Sequence, residues 1–135
     1  MHNFSVVKSW VTKAGLDACI LLVNGTHHCG YVAVPEPLKD KNFYDWNDDC
    51  IELSVHGGIT FQGIAEWSEG RVVVGYDCAH AGDLMLCPPK HKGTPMEALF
   101  EPDGESVWRD EAYCTEQCES LAQQLMALVA LPNPE

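Results

Sequence analysis

The sequence predicts an α+β domain in which an antiparallel sheet of about five strands packs with an N-terminal and a C-terminal helix. Three patterns indicate this class: an Asn-Gly pair between two apolar runs, apolar residues at alternate positions from 51 to 67, and a helical apolar stripe near the C-terminus. The 135 residues fit one domain, which we assign to 1–131. Residues 132–135 contain two prolines, so we expect a frayed tail.

The first predicted elements are a short helix and a β-hairpin. Helical spacing over residues 5–14 places one apolar stripe on Val6, Val7, Trp10, Val11 and Ala14. The apolar runs 18–23 and 26–34 flank Asn24-Gly25, which is the strongest short-range signal for a hairpin turn.

Residues 51–67 predict two strands separated by a kink. The apolar residues here occupy odd positions: Ile51, Leu53, Val55, Ile59, Phe61, Ala65 and Trp67. A two-residue turn at Gly57-Gly58 would break this alternation, and one unbroken strand would run ~56 Å, beyond the usual strand length. We therefore predict strands at 51–56 and 59–67 with a Gly-Gly kink or bulge between them.

A second hairpin is predicted at Ser68-Glu69-Gly70, leading into a strand at 71–77. If Trp67 lies opposite Arg71, Phe61 lies opposite Asp77, and residues 56–58 and 77–80 meet at one end of the sheet. The last predicted element is a helix from about 110 to 129, with an apolar stripe formed by Cys114, Cys118, Leu121, Ala122, Leu125 and Leu128.

This end of the sheet collects the side chains best able to carry a function, namely His56, Asp77, Cys78 and His80. In an extended strand Cys78 and His80 point to one side and Asp77 to the other. Neighbouring Gly57 and Gly58 allow the backbone to bend or a ligand to come close.

Zinc binding is one interpretation of the cluster, because neutral imidazole and thiolate suit zinc. The ligands would be His56, Cys78 and His80, with Cys29 or His27 as a fourth. The chain has no paired C-x-x-C motif, so separate structural roles are an alternative: a buried Cys78 and an Asp77 that caps its turn.

Catalysis and binding without turnover are two further interpretations. In the first, Cys78 or Cys29 is a nucleophile, His56 or His80 a base, and Asp77 or Asp83 the group that orients it. The catalytic candidates are therefore Asp77, His80 and Cys78. In the second, which needs the fewest assumptions, a small polar ligand is held by His56, Gly57, Gly58, Asp77, His80 and Tyr31.

The net charge of −12 argues against non-specific nucleic-acid binding and against an anionic membrane surface. Between positions 97 and 119 eight acids face a single base, Arg109. A solvated face is the preferred interpretation, and a surface that docks on a basic partner protein is the alternative. The N-terminus lacks the features of a signal peptide and no stretch has the length of a membrane span. We therefore expect a cytoplasmic protein with reduced cysteines.

Four segments together resemble a family of small uncharacterised proteins encoded by bacteriophages and prophages. They are Ala14-Gly15-Leu16, His27-His28-Cys29-Gly30-Tyr31-Val32, Val55-His56-Gly57-Gly58-Ile59-Thr60-Phe61 and Gly75-Tyr76-Asp77-Cys78-Ala79-His80-Ala81-Gly82-Asp83. The family pattern is a CGYV strand, an HGGLT corner and a GFDCAHxGD strand end. Ile59 and Tyr76 replace its usual Leu and Phe, and the extended Pro-Gly loop before Trp108 departs from shorter members.

The resemblance implies a phage setting in the host-cell cytoplasm, without a settled activity. Small phage accessory proteins often inhibit host defences by binding a host protein or sequestering a nucleotide signal. Our leading hypothesis is an accessory binding module for a small polar ligand or a host protein. The alternatives are a zinc-dependent hydrolase using the same cluster and an interaction protein with an acidic partner-binding face.

Overall fold

The computed structural model describes residues 4–44, 50–102 and 104–131, and it confirms the α+β class with a five-stranded antiparallel sheet and a C-terminal helix. The elements in chain order are strands β1 (Phe4–Val11), β2 (Asp17–Val23), β3 (His27–Ala33), β4 (Phe61–Ile64) and β5 (Val72–Asp77), and helix α1 (Glu111–Ala130). Three short 3₁₀ helices lie at Glu36–Leu38, Pro89–His91 and Pro95–Phe100. The predicted frayed tail at 132–135 lies outside the described residues.

The strand order is β1-β2-β3-β5-β4, so β5 lies between β3 and the edge strand β4. The chain leaves β3, crosses to the edge, forms β4 and returns as β5. Among the helices of the described residues, none combines the length and the hydrophobicity that a bilayer crossing requires.

The predicted N-terminal helix is wrong, because residues 4–11 form the edge strand β1. This strand pairs with β2 from Phe4 opposite Val23 to Val11 opposite Asp17, with a β-bulge between Val6 and Lys8. A bulge adds one residue and shifts the alternation of side chains. The apolar residues on either side of it therefore acquire a spacing that imitates a helical stripe, although Val6 and Val11 are exposed.

The first hairpin is confirmed, with β2 and β3 joined at Asn24-Gly25. Both residues adopt left-handed backbone conformations, with φ of 53° and 71°. The Thr26 amide donates to the Val23 carbonyl at 2.9 Å, which closes the turn. Primed turns require two successive positive φ angles, and Asn-Gly supplies them at the lowest cost.

Two glycine–tyrosine pairs shape the middle of the sheet. Gly30 lies opposite Tyr76 and Tyr31 opposite Gly75, and a Cβ atom at either glycine would overlap the ring of its partner. Tyr76 points toward α1, where its hydroxyl donates to the Cys114 carbonyl at 3.0 Å. Tyr31 lies on the other face of the sheet, since neighbouring residues of a strand alternate.

The core lies between α1 and one face of the sheet. The predicted C-terminal helix is confirmed, and Asp110 caps it by accepting a hydrogen bond from the Tyr113 amide at 2.8 Å. Its buried stripe is Cys114, Cys118, Leu121, Ala122 and Leu125, packed against Ile20, Val32, Val74 and Tyr76.

Residues 51–56 are extended but do not form the predicted strand, and residues 59–67 contribute only β4. Side-chain amides of α1 take the place of a neighbouring strand. Gln124 exchanges two hydrogen bonds of 2.7 Å with the backbone of Ser54, and the His56 amide donates to Gln117 at 2.8 Å. Leu53 is buried while Glu52 and Ser54 are exposed. The alternation in the sequence therefore reflects an extended segment that lies along a helix.

The second hairpin forms at the predicted place with a different register. Phe61 lies opposite Gly75, two residues from the predicted Asp77. The connection spans residues 65–71, and hydrogen bonds from the Ser68 amide to Ala65 and from the Arg71 amide to Ser68 close two successive turns within it. A shift of two residues keeps every side chain on its predicted face, so the expected meeting of residues 56–58 and 77–80 is unaffected.

The turn after β1 is attached to α1 through one carboxylate. Glu119 accepts hydrogen bonds from the Trp10 indole at 2.8 Å and from the Lys13 amide at 3.0 Å. The Trp10 hydrogen bond is the main cause that lowers the pKa of Glu119, and the Lys13 amide adds to it. The stabilisation from these contacts is therefore complete at pH values above the ordinary carboxyl pKa. It is lost as the pH falls through the lowered pKa of Glu119.

We predict that Glu119→Gln lowers the free energy of unfolding at pH 7 by about 0.5–1 kcal/mol, a value reduced by solvent near this carboxylate. Urea unfolding at pH 7 and at pH 3 measures it, and the variant should differ less from the parent protein at pH 3. Glu116→Gln, at an exposed glutamate on the same helix, is the control. Equal losses at both pH values would contradict the assigned charge dependence.

Candidate functional site

A polar cluster lies where the end of β5, the Gly57-Gly58 corner and the start of α1 meet. After Asp77 the chain turns, and Asp83 forms a parallel bridge with Val107. Hydrogen bonds of 2.9 Å from the Leu84 amide to Val107 and from the Val107 amide to Gly82 hold this bridge. The bridge brings Arg109, two residues beyond Val107, beside Asp83.

The Asp83 carboxylate is the centre of this cluster, and its side chain is 1% exposed. Its Oδ2 accepts from the His80 backbone amide at 3.0 Å and lies 2.9 Å from His56 Nε2. Its Oδ1 accepts from Arg109 Nε at 2.9 Å. Burial alone would raise the pKa of the Asp83 carboxyl, but the hydrogen bonds from His56, His80 and Arg109 outweigh it and lower that pKa. Asp83 is therefore ionised at neutral pH.

His56 bridges Asp83 and Tyr113. Because an ionised carboxylate only accepts hydrogen bonds, His56 Nε2 carries the proton in the contact with Asp83. His56 Nδ1 lies 2.7 Å from the Tyr113 hydroxyl. Burial raises the pKa of Tyr113, which keeps that hydroxyl protonated and able to donate to a neutral imidazole. The imidazole is thereby fixed on both sides.

His80 packs against the corner and is the more exposed of the two histidines. Gly57 has a φ of 68°, and a Cβ atom there would overlap three atoms of the His80 ring. His80 Nδ1 lies 3.3 Å from Asp77 Oδ1 and 3.7 Å from Asp83 Oδ2, yet it is buried and forms no hydrogen bond. Gly58 closes the corner by donating its amide to the Val55 carbonyl at 2.9 Å.

The structure brings the two predicted histidines together, with ring centroids 6.0 Å apart. One potential ligand atom from each of His56, His80 and Asp83 lies within 4.8 Å of the others. Tetrahedral zinc with ligand distances of about 2.0 Å places neighbouring ligand atoms about 3.3 Å apart. Small side-chain rotations would bring the three groups around one ion.

Cys78, predicted to share a side with His80, is not part of this group. Strand alternation puts Cys78 on the same face as Tyr76, so the thiol lies in the core with its Sγ 3.8 Å from Cys114 Sγ, and His80 does not share that side because the strand ends at Asp77. The hydrogen bond to Cys114, followed by burial, raises the pKa of Cys78 far above its ordinary value. A buried protonated thiol is neither a ready nucleophile nor a ready ligand. Asp83 occupies the place predicted for Cys78.

Asp77 caps the turn after its strand, as the structural alternative predicted. Its Oδ1 accepts from the Ala79 amide at 3.1 Å. The remaining predicted site residues lie on the sheet face away from α1. Cys29 is opposite Asp77 in the neighbouring strand, and burial raises the pKa of its thiol to about 12. Tyr31 contacts Phe61 and Trp67, and His27 Nδ1 lies 2.6 Å from the Thr26 hydroxyl.

Two residues of the C-terminal half, Arg109 and Tyr113, complete the cluster and were not predicted. The buried His28 helps to place Arg109, since His28 Nδ1 lies 2.9 Å from the Arg109 carbonyl. The available signal was the isolation of Arg109, the single base among the eight acids between 97 and 119. Its partner is the buried Asp83 carboxylate, which, like any buried charge, requires pairing.

No protein-family model, curated protein or solved structure matches the chain.

We predict that Gly57→Ala is more destabilising than Gly70→Ala. Both glycines have positive φ, 68° and 79°, so each variant incurs about 1–2 kcal/mol of backbone strain. A Cβ atom at Gly70 meets no neighbour within 4 Å, whereas one at Gly57 collides with His80, which adds about 1–3 kcal/mol.

Urea unfolding measures the difference, and the imidazole NMR signals of His80 should shift only in Gly57→Ala. Equal destabilisation with unchanged His80 signals would contradict the packing of His80 on Gly57.

Proposed function

We propose that this protein is a small accessory binding module whose His56–His80–Asp83 cluster holds a divalent transition-metal ion of the zinc type. The observation that carries the proposal is the convergence of two imidazoles and one ionised carboxylate within 4.8 Å. Two histidines and one carboxylate form a common ligand set for zinc and for non-haem iron. The resemblance to phage proteins supports the accessory role, in the cytoplasm of a host cell.

The surroundings of the cluster also suit a metal site. Ligating histidines usually use their second ring nitrogen for a hydrogen bond that fixes their orientation, and ligating carboxylates are hydrogen-bonded in turn. If His56 Nε2 binds the ion, its proton would be carried by Nδ1, which would then donate to the Tyr113 hydroxyl, and Arg109 already donates to Asp83. Each candidate ligand except His80 is thus held in place before any ion binds.

The competing interpretation is a purely structural network of buried ion pairs. In such a network every buried polar atom should have a partner. His80 Nδ1 is buried without one, although two carboxylate oxygens lie 3.3 and 3.7 Å away. A cation bound by this nitrogen and the Asp83 carboxylate would give the nitrogen a partner, which favours the metal interpretation.

We predict that the metal-free protein binds one equivalent of Zn²⁺ and that His80→Ala weakens binding about 100-fold or more. Isothermal titration calorimetry at pH 7 measures this, and zinc should also raise the melting temperature of the parent protein. His80 is the most exposed of the three ligands, so its loss should leave the fold intact.

His91→Ala is the matched control, since this histidine stacks on Phe100 away from the cluster. It should bind zinc with parental affinity. Equal affinity of His80→Ala and the parent protein would contradict the proposal.

A zinc-dependent hydrolase is the second candidate function, favoured by one observation. The cluster offers three protein ligands, and catalytic zinc sites commonly keep a fourth position open for water, which the metal activates. His80, with a side chain 36% exposed, lies on the solvent side of the cluster. Zinc-dependent cleavage of an activated phosphodiester that disappears in His80→Ala would establish it. The acidic partner-binding face stays a prediction.

A further inference from the structure

A second candidate site lies on the sheet face opposite α1. A cleft of about 610 Å³ is formed there by β1 to β3, both ends of β4, the end of β5 and the connection 65–71. Its aromatic and charged lining consists of Phe4, Tyr31, Phe61, Trp67, Glu66 and Asp77. None of these side chains except Asp77 contacts the metal-binding candidates.

Three of the aromatic rings stand at angles to one another and do not stack in parallel. The Tyr31 and Trp67 ring centroids are 4.5 Å apart with planes at 58°, and those of Tyr31 and Phe61 are 5.9 Å apart at 83°. Gly75 gives Tyr31 the space to lie across the sheet, and the connection after β4 carries Trp67 over it. Tyr31 thus packs against both Trp67 and Phe61, and the three rings together form one aromatic wall of the cleft.

The charges around the cleft have one sign. Glu66 and Asp77 contribute carboxylates, and no lysine or arginine is among the lining residues. Burial lowers the pKa of His27, which also lines the cleft, so this imidazole is neutral at pH 7. An anionic ligand would be repelled here, and the net charge of −12 attracts a cation to the protein as a whole.

We propose that this cleft binds an alkylated ammonium ion. Such a cation combines a charge with an apolar methylated surface, and aromatic side chains attract it through the negative faces of their rings. Glu66 and Asp77 would add charge neutralisation at the rim. The chemistry is shared by small quaternary ammonium molecules and by methylated lysine side chains.

The test is separate from that of the metal site, because it uses the metal-free protein and, apart from Asp77 beside His80, side chains outside the metal-binding cluster. Calorimetric titration with choline tests it, together with 3,3-dimethylbutan-1-ol, a neutral molecule of nearly the same shape. Choline should bind about tenfold more tightly than the alcohol, since only the cation gains from the rings and the carboxylates. Choline should also shift the indole NMR signal of Trp67.

Glu66→Gln and Glu69→Gln form a matched pair of variants. Both glutamates are exposed in the connection 65–71, but only Glu66 lines the cleft. Glu66→Gln should weaken choline binding about three- to tenfold, and Glu69→Gln should leave it unchanged. Equal effects of the two variants would overturn the assignment.

A peptide containing trimethyllysine, titrated in parallel with choline, distinguishes the two sources of the cation. Tighter binding of the peptide than of choline identifies a protein side chain, and equal or weaker binding identifies a small molecule; both results support the proposal. Choline and the neutral alcohol binding equally well, or neither choline nor the peptide binding at millimolar concentration, would overturn it.

Discussion

The Asp83 carboxylate joins three distant segments of the chain, and the geometry of the cluster depends on it. It receives hydrogen bonds from His56 at the start of the corner that follows residues 51–55, from the His80 amide in the turn after β5, and from Arg109 before α1. A buried carboxylate is tolerated only when such donors surround it. Folding of these segments is thus coupled, because each supplies part of what the buried charge requires.

One face of the sheet packs on α1 and the other lines the aromatic cleft, and β5 contributes side chains to both faces. Tyr76 anchors the core by reaching α1, whereas Asp77 on the same strand borders the aromatic cleft and lies beside His80. The reciprocal glycine–tyrosine pairs allow this. Gly30 leaves space for the Tyr76 ring on the face toward α1, and Gly75 leaves space for the Tyr31 ring on the opposite face. The metal-binding candidates lie at the end of the sheet and the cleft on its outer face, so the two proposals concern different surfaces.

The sequence predicts the elements that local chemistry determines and misses those that depend on distant partners. The Asn24-Gly25 turn and α1 were predicted because positive φ angles and a helical stripe are encoded locally. The helix at 5–14 was wrong because a β-bulge is not visible in apolar spacing. The predicted strand at 51–56 was wrong for a different reason. Alternating apolar residues indicate a chain that is covered on one side, but they do not show whether the covering element is a strand or, as here, the helix α1.

The same distinction holds for the cluster. Hairpin topology alone predicts that His56 and His80 lie close together. This prediction holds although the predicted register was wrong by two residues. The exchange of Cys78 for Asp83 depends on the turn that follows β5, the position of Arg109 depends on the bridge between Asp83 and Val107, and that of Tyr113 depends on the packing of α1. Those positions are set by tertiary structure, which local patterns do not encode.

The zinc K-edge absorption spectrum of the full chain loaded with one equivalent of zinc tests the central claim most directly. The account predicts a nearest shell of nitrogen and oxygen atoms at about 2.0–2.2 Å with the outer-shell signal of imidazole rings, and no sulfur. A sulfur shell at about 2.3 Å would contradict it, because the metal would then be held by cysteines and not by the cluster around Asp83.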